Sequence, residues 1–88
     1  MADLTRSDVV RLIALATKPL NLQGADLRDV DLSNLDLSGA NLRKANLQRV
    51  NLGGTNLSCA NLSEAKLQGT NLEWTNLDGA DLTGVKKL

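Results

Sequence analysis

The sequence predicts an all-β solenoid closed at its start by one short α-helix, and three observations carry that prediction. Leucine recurs at every fifth position from Leu22 to Leu82 without a gap. The residue just before each of these leucines is Asn eight times, Asp four times and Lys once, at Lys66. The first nineteen residues lack the repeat and carry the signals of a helix instead.

The helix comes first along the chain. Thr5-Arg6-Ser7-Asp8 sets a hydroxyl residue three positions ahead of an acid, the signature of a capped helix start. Val9, Leu12, Ile13 and Ala16 follow at helical spacing, and Pro19, which lacks an N–H, stops the element. The expected helix spans about residues 6–17 within a capping segment, 1–19. An apolar helix face beside the end of a solenoid most simply covers the first coil, where Leu20 and Leu22 would otherwise meet water.

The repeat occupies residues 20–84 and fits no standard element. On an α-helix five residues turn about 500°, so the leucines would wander around the circumference. On a straight strand five is odd, so successive leucines would alternate between faces. A chain that turns a corner once per repeat keeps them all on one side. Residues two apart share a face where the backbone is extended, so Ala25 and Leu27 point inward and Asp26 outward. The next two positions, such as Ser38-Gly39, form the corner. Six of the seven glycines (24, 39, 54, 69, 79 and 84) stand there, where glycine accepts a positive φ without steric cost. Stacked coils then pair about 4.8 Å apart, as in any sheet. The expected core is Leu22, Leu27, Leu32, Leu37, Leu42, Leu47, Leu52, Leu57, Leu62, Leu67, Leu72, Leu77 and Leu82.

The residues two before each leucine favour four sides over three. Compared at spacing 20, six of nine vertical neighbours are identical; at spacing 15, five of ten are.

The pattern Ala25-Asp26-Leu27, Ala40-Asn41-Leu42, Ala60-Asn61-Leu62 resembles the pentapeptide-repeat family. The resemblance covers residues 20–84 and implies a right-handed quadrilateral β-helix in which four repeats complete a coil. Every central residue here is Leu, where the family often mixes in Phe. The segment Arg6-Ser7-Asp8-Val9-Val10-Arg11-Leu12 and the repeat start Leu20-Asn21-Leu22-Gln23-Gly24-Ala25-Asp26-Leu27 are similar to the repeat region of KCTD-type BTB adaptor proteins. That likeness implies the substrate-holding half of a ubiquitin-ligase adaptor. Other pentapeptide-repeat proteins shield type II topoisomerases by imitating DNA with a long, acidic rod.

Composition narrows the function classes. At 88 residues there is room for one domain, and a round fold this small would bury only about 60% of its unfolded surface. Ten basic and ten acidic residues cancel, which argues against nucleic-acid partners and anionic membranes. The same balance counts against DNA mimicry. No apolar run approaches a membrane span. Cys59 is the sole cysteine and excludes an internal disulfide, and Asp3 stands where a secretory signal would carry positive charge. A cytoplasmic protein is the expectation.

There is no His, and no nucleophile stands beside a base, so neither catalytic residues nor ligands for a metal or cofactor are expected. The acids at 26, 31, 36 and 81 occupy the outward repeat position. The expected role is a non-enzymatic protein-interaction scaffold. Candidate contacts for a protein partner are Trp74, the only aromatic residue, and the basic residues Arg43, Lys44 and Arg49. The indole is expected to fold over the space left by Gly54. Residues 21–40 carry net charge −3, residues 41–60 carry +3 and residues 61–80 carry −2. With a coil of twenty, vertical pairs Asp29–Arg49 and Lys44–Glu64 are expected, each of small worth at an exposed surface.

The tail, residues 85–88, brings no second helix. The last coil is therefore expected to leave Leu72, Leu77 and Leu82 facing along the axis. Either two chains meet there tail to tail as a homodimer, or residues 83–88 fold across the end.

Overall fold

Ten parallel bridges, each joining a residue to the one twenty positions later, set the architecture: Asn21 pairs with Asn41, Asp26 with Asn46, Asp31 with Asn51, Asp36 with Asn56, and so on to Lys66 with Lys86. These come from a computed structural model that describes residues 3–17 and 19–87. One coil thus takes four repeats, as the vertical residue matches favoured. Among the described residues the pairing is entirely by isolated bridges, and no longer strand forms. The reason is the period: two of every five residues turn the corner, which leaves three extended residues per side.

Every corner but the one after Leu32 is closed by the N–H three residues after the central leucine, as in Ala25 N–H to the Leu22 carbonyl at 3.1 Å. The second corner residue has positive φ in all thirteen repeats, from 59° at Asn34 to 72° at Gly69. Such a turn requires the left-handed region at its third residue. Glycine supplies it six times, and Asp29, Asn34, Lys44, Arg49, Cys59, Glu64 and Trp74 adopt it despite their side chains.

The Asn/Asp position has a role that spacing alone does not assign. The side-chain Oδ1 of each of these twelve residues accepts the N–H two positions on, at 2.9–3.2 Å. That bond pre-forms the corner, and both Asn and Asp can make it. Lys66 has no such oxygen and is the one exception.

The central leucines from Leu22 to Leu67 are buried and form one apolar shaft with Ala40, Ala45, Val50, Ala60 and Ala65. Three threonines face inward and donate to the coil before: Thr55 to the carbonyl of Leu32, Thr70 to Leu47 and Thr75 to Leu52. A hydroxyl in an apolar shaft needs such a partner.

The N-terminal helix, α1, is Arg6–Leu15. Thr5 caps it reciprocally with Asp8, as the spacing predicted. It stops short of the expected residue 17, because the backbone is already extended at Ala16 on its way to the first coil. The expected apolar stripe is also narrower. Val9 is buried and Leu4 and Ile13 pack partly, whereas Leu12 and Ala16 are exposed, as are Val10 and Leu15. The anchors explain this, since they sit at the start of the segment. The Asp3 N–H donates to the Asp26 carbonyl at 2.7 Å, and the Asp3 carboxylate accepts the Asp26 N–H at 3.0 Å. Arg6 donates to the carbonyls of Asp31 and Ser33. The later turns stand off from the first coil, with a recess of about 330 Å³ between Ile13, Ala16 and the segment Asp36–Ala40.

Candidate functional site

The twenty-residue coil stacks the corner residues into four columns: 24/44/64/84, 29/49/69, 34/54/74 and 39/59/79. This decides which candidate residues meet. Lys44 lies in the first column, Arg49 in the second and Trp74 in the third, diagonally across the solenoid from Lys44. The candidates therefore do not form one surface.

The basic residues do not form a free belt either. Arg49 reaches down its own column to Asp29 with two bonds, Nε to Oδ1 at 2.7 Å and Nη2 to Oδ2 at 3.2 Å. Hydrogen bonding from Arg49 lowers the Asp29 pKa and raises that of Arg49. Glu64 is paired as well, though by Arg43 at 2.7 Å and not by Lys44. The expected Lys44–Glu64 pair is thus corrected: the longer arginine at the first corner position reaches the carboxylate from beside it.

The outward acids have structural work. Asp26 accepts two bonds from the Arg28 guanidinium as well as the Arg28 N–H, and its pKa falls to about 2, chiefly through the side-chain bonds of Arg28. Asp31, Asp36 and Asp81 are lowered by hydrogen bonds from Ser33, Ser38 and Thr83 respectively. Cys59 is exposed in its column against Gly79. Among the described residues no group of three metal-binding side chains occurs, and no helix is long and apolar enough to cross a membrane.

Trp74 departs from expectation. Its side chain is 90% exposed, and the space beside Gly54 is taken by the Asn34 carboxamide, while no Trp74 atom comes within 4 Å of a Cβ placed on Gly54. The indole instead stands as one wall of a trough whose lining includes Asn34, Asn51, Gly53, Asn71 and Glu73.

Among the described residues, nothing covers the far end of the solenoid. Leu72 and Leu77 are half-buried, Leu82 is 40% exposed, and the N–H groups of all three lack partners among the described residues. Leu52, Leu62, Leu67, Val85 and Lys87 complete an apolar recess of about 100 Å³. A tail folded across this end is ruled out as far as residue 86. Lys86 continues the ladder, donating to the Ala65 carbonyl and accepting from the Leu67 N–H. Leu88 lies outside the described residues.

A family model for pentapeptide repeats matches residues 21–58 and 45–84. A search of curated proteins returns no significant match. Among solved structures, the chain is similar to a pentapeptide repeat protein from the cyanobacterium Cyanothece 51142, at 40% identity and a TM-score of 0.60, over 81% of this chain and 52% of that one. It is also similar to a pentapeptide repeat protein from the thylakoid lumen of Arabidopsis thaliana, at 27% identity and a TM-score of 0.51, over 78% of this chain and 51% of that one. The chain spans about half the length of these two proteins.

Proposed function

Because the chain belongs to the pentapeptide-repeat family, a family of right-handed quadrilateral β-helices that act as structural repeat scaffolds, we propose that it is a non-enzymatic protein-interaction scaffold whose contact face is the open end of its last coil. The observation that carries this reading is the contrast between the two ends. At the start, Asp3, Arg6 and Val9 satisfy backbone groups and cover leucines. At the far end Leu72, Leu77 and Leu82 stay partly uncovered beside open backbone donors. Unpaired edges of this kind invite another chain.

The occupant we propose is a second copy, placed tail to tail. With the helix closing one end, head-to-tail stacking is blocked, and a two-fold arrangement is the closed alternative. Charge supports it. The basic residues Lys86 and Lys87 lie on one side of the last coil, while Glu73, Asp78 and Asp81 lie on the other three. A two-fold axis through a corner sets the basic side of one copy against an acidic side of the other.

The alternatives fare less well. DNA mimicry calls for continuous negative charge, whereas this solenoid alternates in sign from coil to coil and pairs its arginines internally. The substrate-holding half of a ubiquitin-ligase adaptor is one specific form of scaffold, and none of the comparisons points to it.

Light scattering of the 88-residue chain across a dilution series tests the proposal. A dimer mass is expected, and Leu82→Lys should give a folded monomer. A clean monomer at high micromolar concentration overturns the tail-to-tail contact.

A further inference from the structure

Beyond the end-to-end contact, we propose that the trough beside Trp74 is a binding site for a neutral saccharide, with the indole as the stacking platform. Three observations converge on it. The first is the cost of placing Trp74 there. It sits at φ 62°, a region that bulky side chains rarely occupy, in a corner position that glycine fills in six of thirteen repeats. The strain is not recovered by packing, because the side chain is 90% exposed. Six other non-glycine residues share this conformation, but Trp74 alone sets a large aromatic side chain there almost wholly in solvent, which points to a role outside the fold.

The second observation is the space. Gly53-Gly54 is the only adjacent glycine pair in the sequence, and it stands in the coil just before Trp74 on the same side. Gly53 does not need a positive φ. What its missing side chain provides is room: a Cβ there would lie 3.0 Å from Asn51 Oδ1 and 3.5 Å from Asn71 Nδ2. The trough so formed holds about 390 Å³, toward the small end of ligand pockets.

The third is the chemistry of the lining. Asn71 Nδ2 donates to Asn51 Oδ1 at 3.2 Å, and Asn51 Oδ1 also accepts the Gly53 N–H. These bonds hold the two carboxamides in place and leave the Asn51 amide hydrogens without a partner among the described residues. Neither the Asn34 carboxamide nor the Glu73 carboxylate has a hydrogen-bond partner among the described residues. Carboxamides supply donors and acceptors, and the carboxylate accepts twice. Vicinal hydroxyls, each both donor and acceptor, match that set. The C–H face of a sugar ring is drawn to the negative face of an indole. No Lys or Arg lines the trough, which disfavours phosphate-bearing ligands. A single exposed carboxylate among neutral amides is a poor match for a cationic peptide.

Trp74 is the sole indole and therefore reports its own occupancy. Its emission should be followed while cellobiose, maltose and chitobiose are titrated separately, with tetralysine and AMP as controls. A saturable change with at least one sugar is expected. Glu73→Ala and Gly53→Leu, the latter filling the trough, should each weaken it about tenfold or more while leaving the melting temperature nearly unchanged. Calorimetry with Trp74→Ala should show binding abolished. A response to tetralysine or AMP alone, undiminished binding in both trough variants, or no saturable change with any sugar up to its solubility limit overturns the proposal.

Discussion

Arg6 donates from Nη1 to the carbonyl oxygen of Asp31 at 2.9 Å, so the cap satisfies part of the backbone edge of the first coil as well as covering its apolar shaft. Deleting residues 1–18 should therefore lower the melting temperature and create dye-binding surface. Val9→Ala, which empties a fully buried site, should cost about 2 kcal/mol. Arg6→Ala should lower the melting temperature by less, since water can reach the carbonyls it leaves. Thermal scans with a hydrophobic dye check all three. Unchanged stability on deletion would remove the cap from the account.

A charge placed in the shaft separates its middle from its open end. Leu52 is fully buried and Leu82 is 40% exposed. Leu52→Asp should cost several kcal/mol, because an unpaired carboxylate finds no partner there. Leu82→Asp should stay folded. Circular dichroism melts of the two variants test the contrast, and equal tolerance would mean that the five-residue register is wrong.

Thr55 and Thr75 occupy the same repeat position, yet they should respond differently to loss of the hydroxyl. Leu32 is the one central leucine from 22 to 82 whose carbonyl is not taken by the N–H three residues on, and Thr55 is its donor instead. Thr55→Val should leave that buried carbonyl unmatched, at about 1–3 kcal/mol. Thr75→Val should cost less, because the Leu52 carbonyl also accepts the Thr55 N–H. Urea titrations of both variants would show the difference in midpoint.

Acid should loosen the corners. Asp26, Asp31, Asp36 and Asp81 have folded-state pKa values below the ordinary carboxylate value, with Asp26 down to about 2. A lowered folded pKa adds stability that is complete above the unfolded value, near 3.9, and is lost as pH falls through the folded one. The melting temperature should drop between about pH 4 and pH 2. Replacing Asp31, Asp36 and Asp81 by Asn keeps the oxygen that accepts the turn N–H and removes the titration. That triple variant should show a shallower fall over the same range.

How far the sequence could be read follows from which interactions repeat. The leucine shaft and the coil of twenty were legible because they depend on spacing alone. The Asp29–Arg49 pair was legible for the same reason, since both residues stand in one column. Arg43 and Lys44 are adjacent at one corner, and spacing cannot say which of them reaches Glu64; side-chain length and direction decide it. The reach of Arg6 to Asp31 was hidden because it joins the helix to the solenoid, outside any period. Trp74 was misread because Gly54 looked vacant, whereas the Asn34 carboxamide already occupied the space. The Asn/Asp position carried its signal in full view: what a short oxygen-bearing side chain does two residues before a corner is to accept the next free N–H.

The bridges join each residue only to those twenty places away, and this gives chain length an angular meaning. Each five-residue unit added to the middle of the solenoid turns everything after it by a quarter revolution relative to the helix. The leucines would still point inward, so the fold would survive, but Trp74 would move to the next corner. Only units of twenty restore its bearing. A sequence of this kind can grow or shrink by whole coils while every exposed feature keeps its compass direction, and it can re-aim one feature against another by a single short insertion that leaves the core untouched.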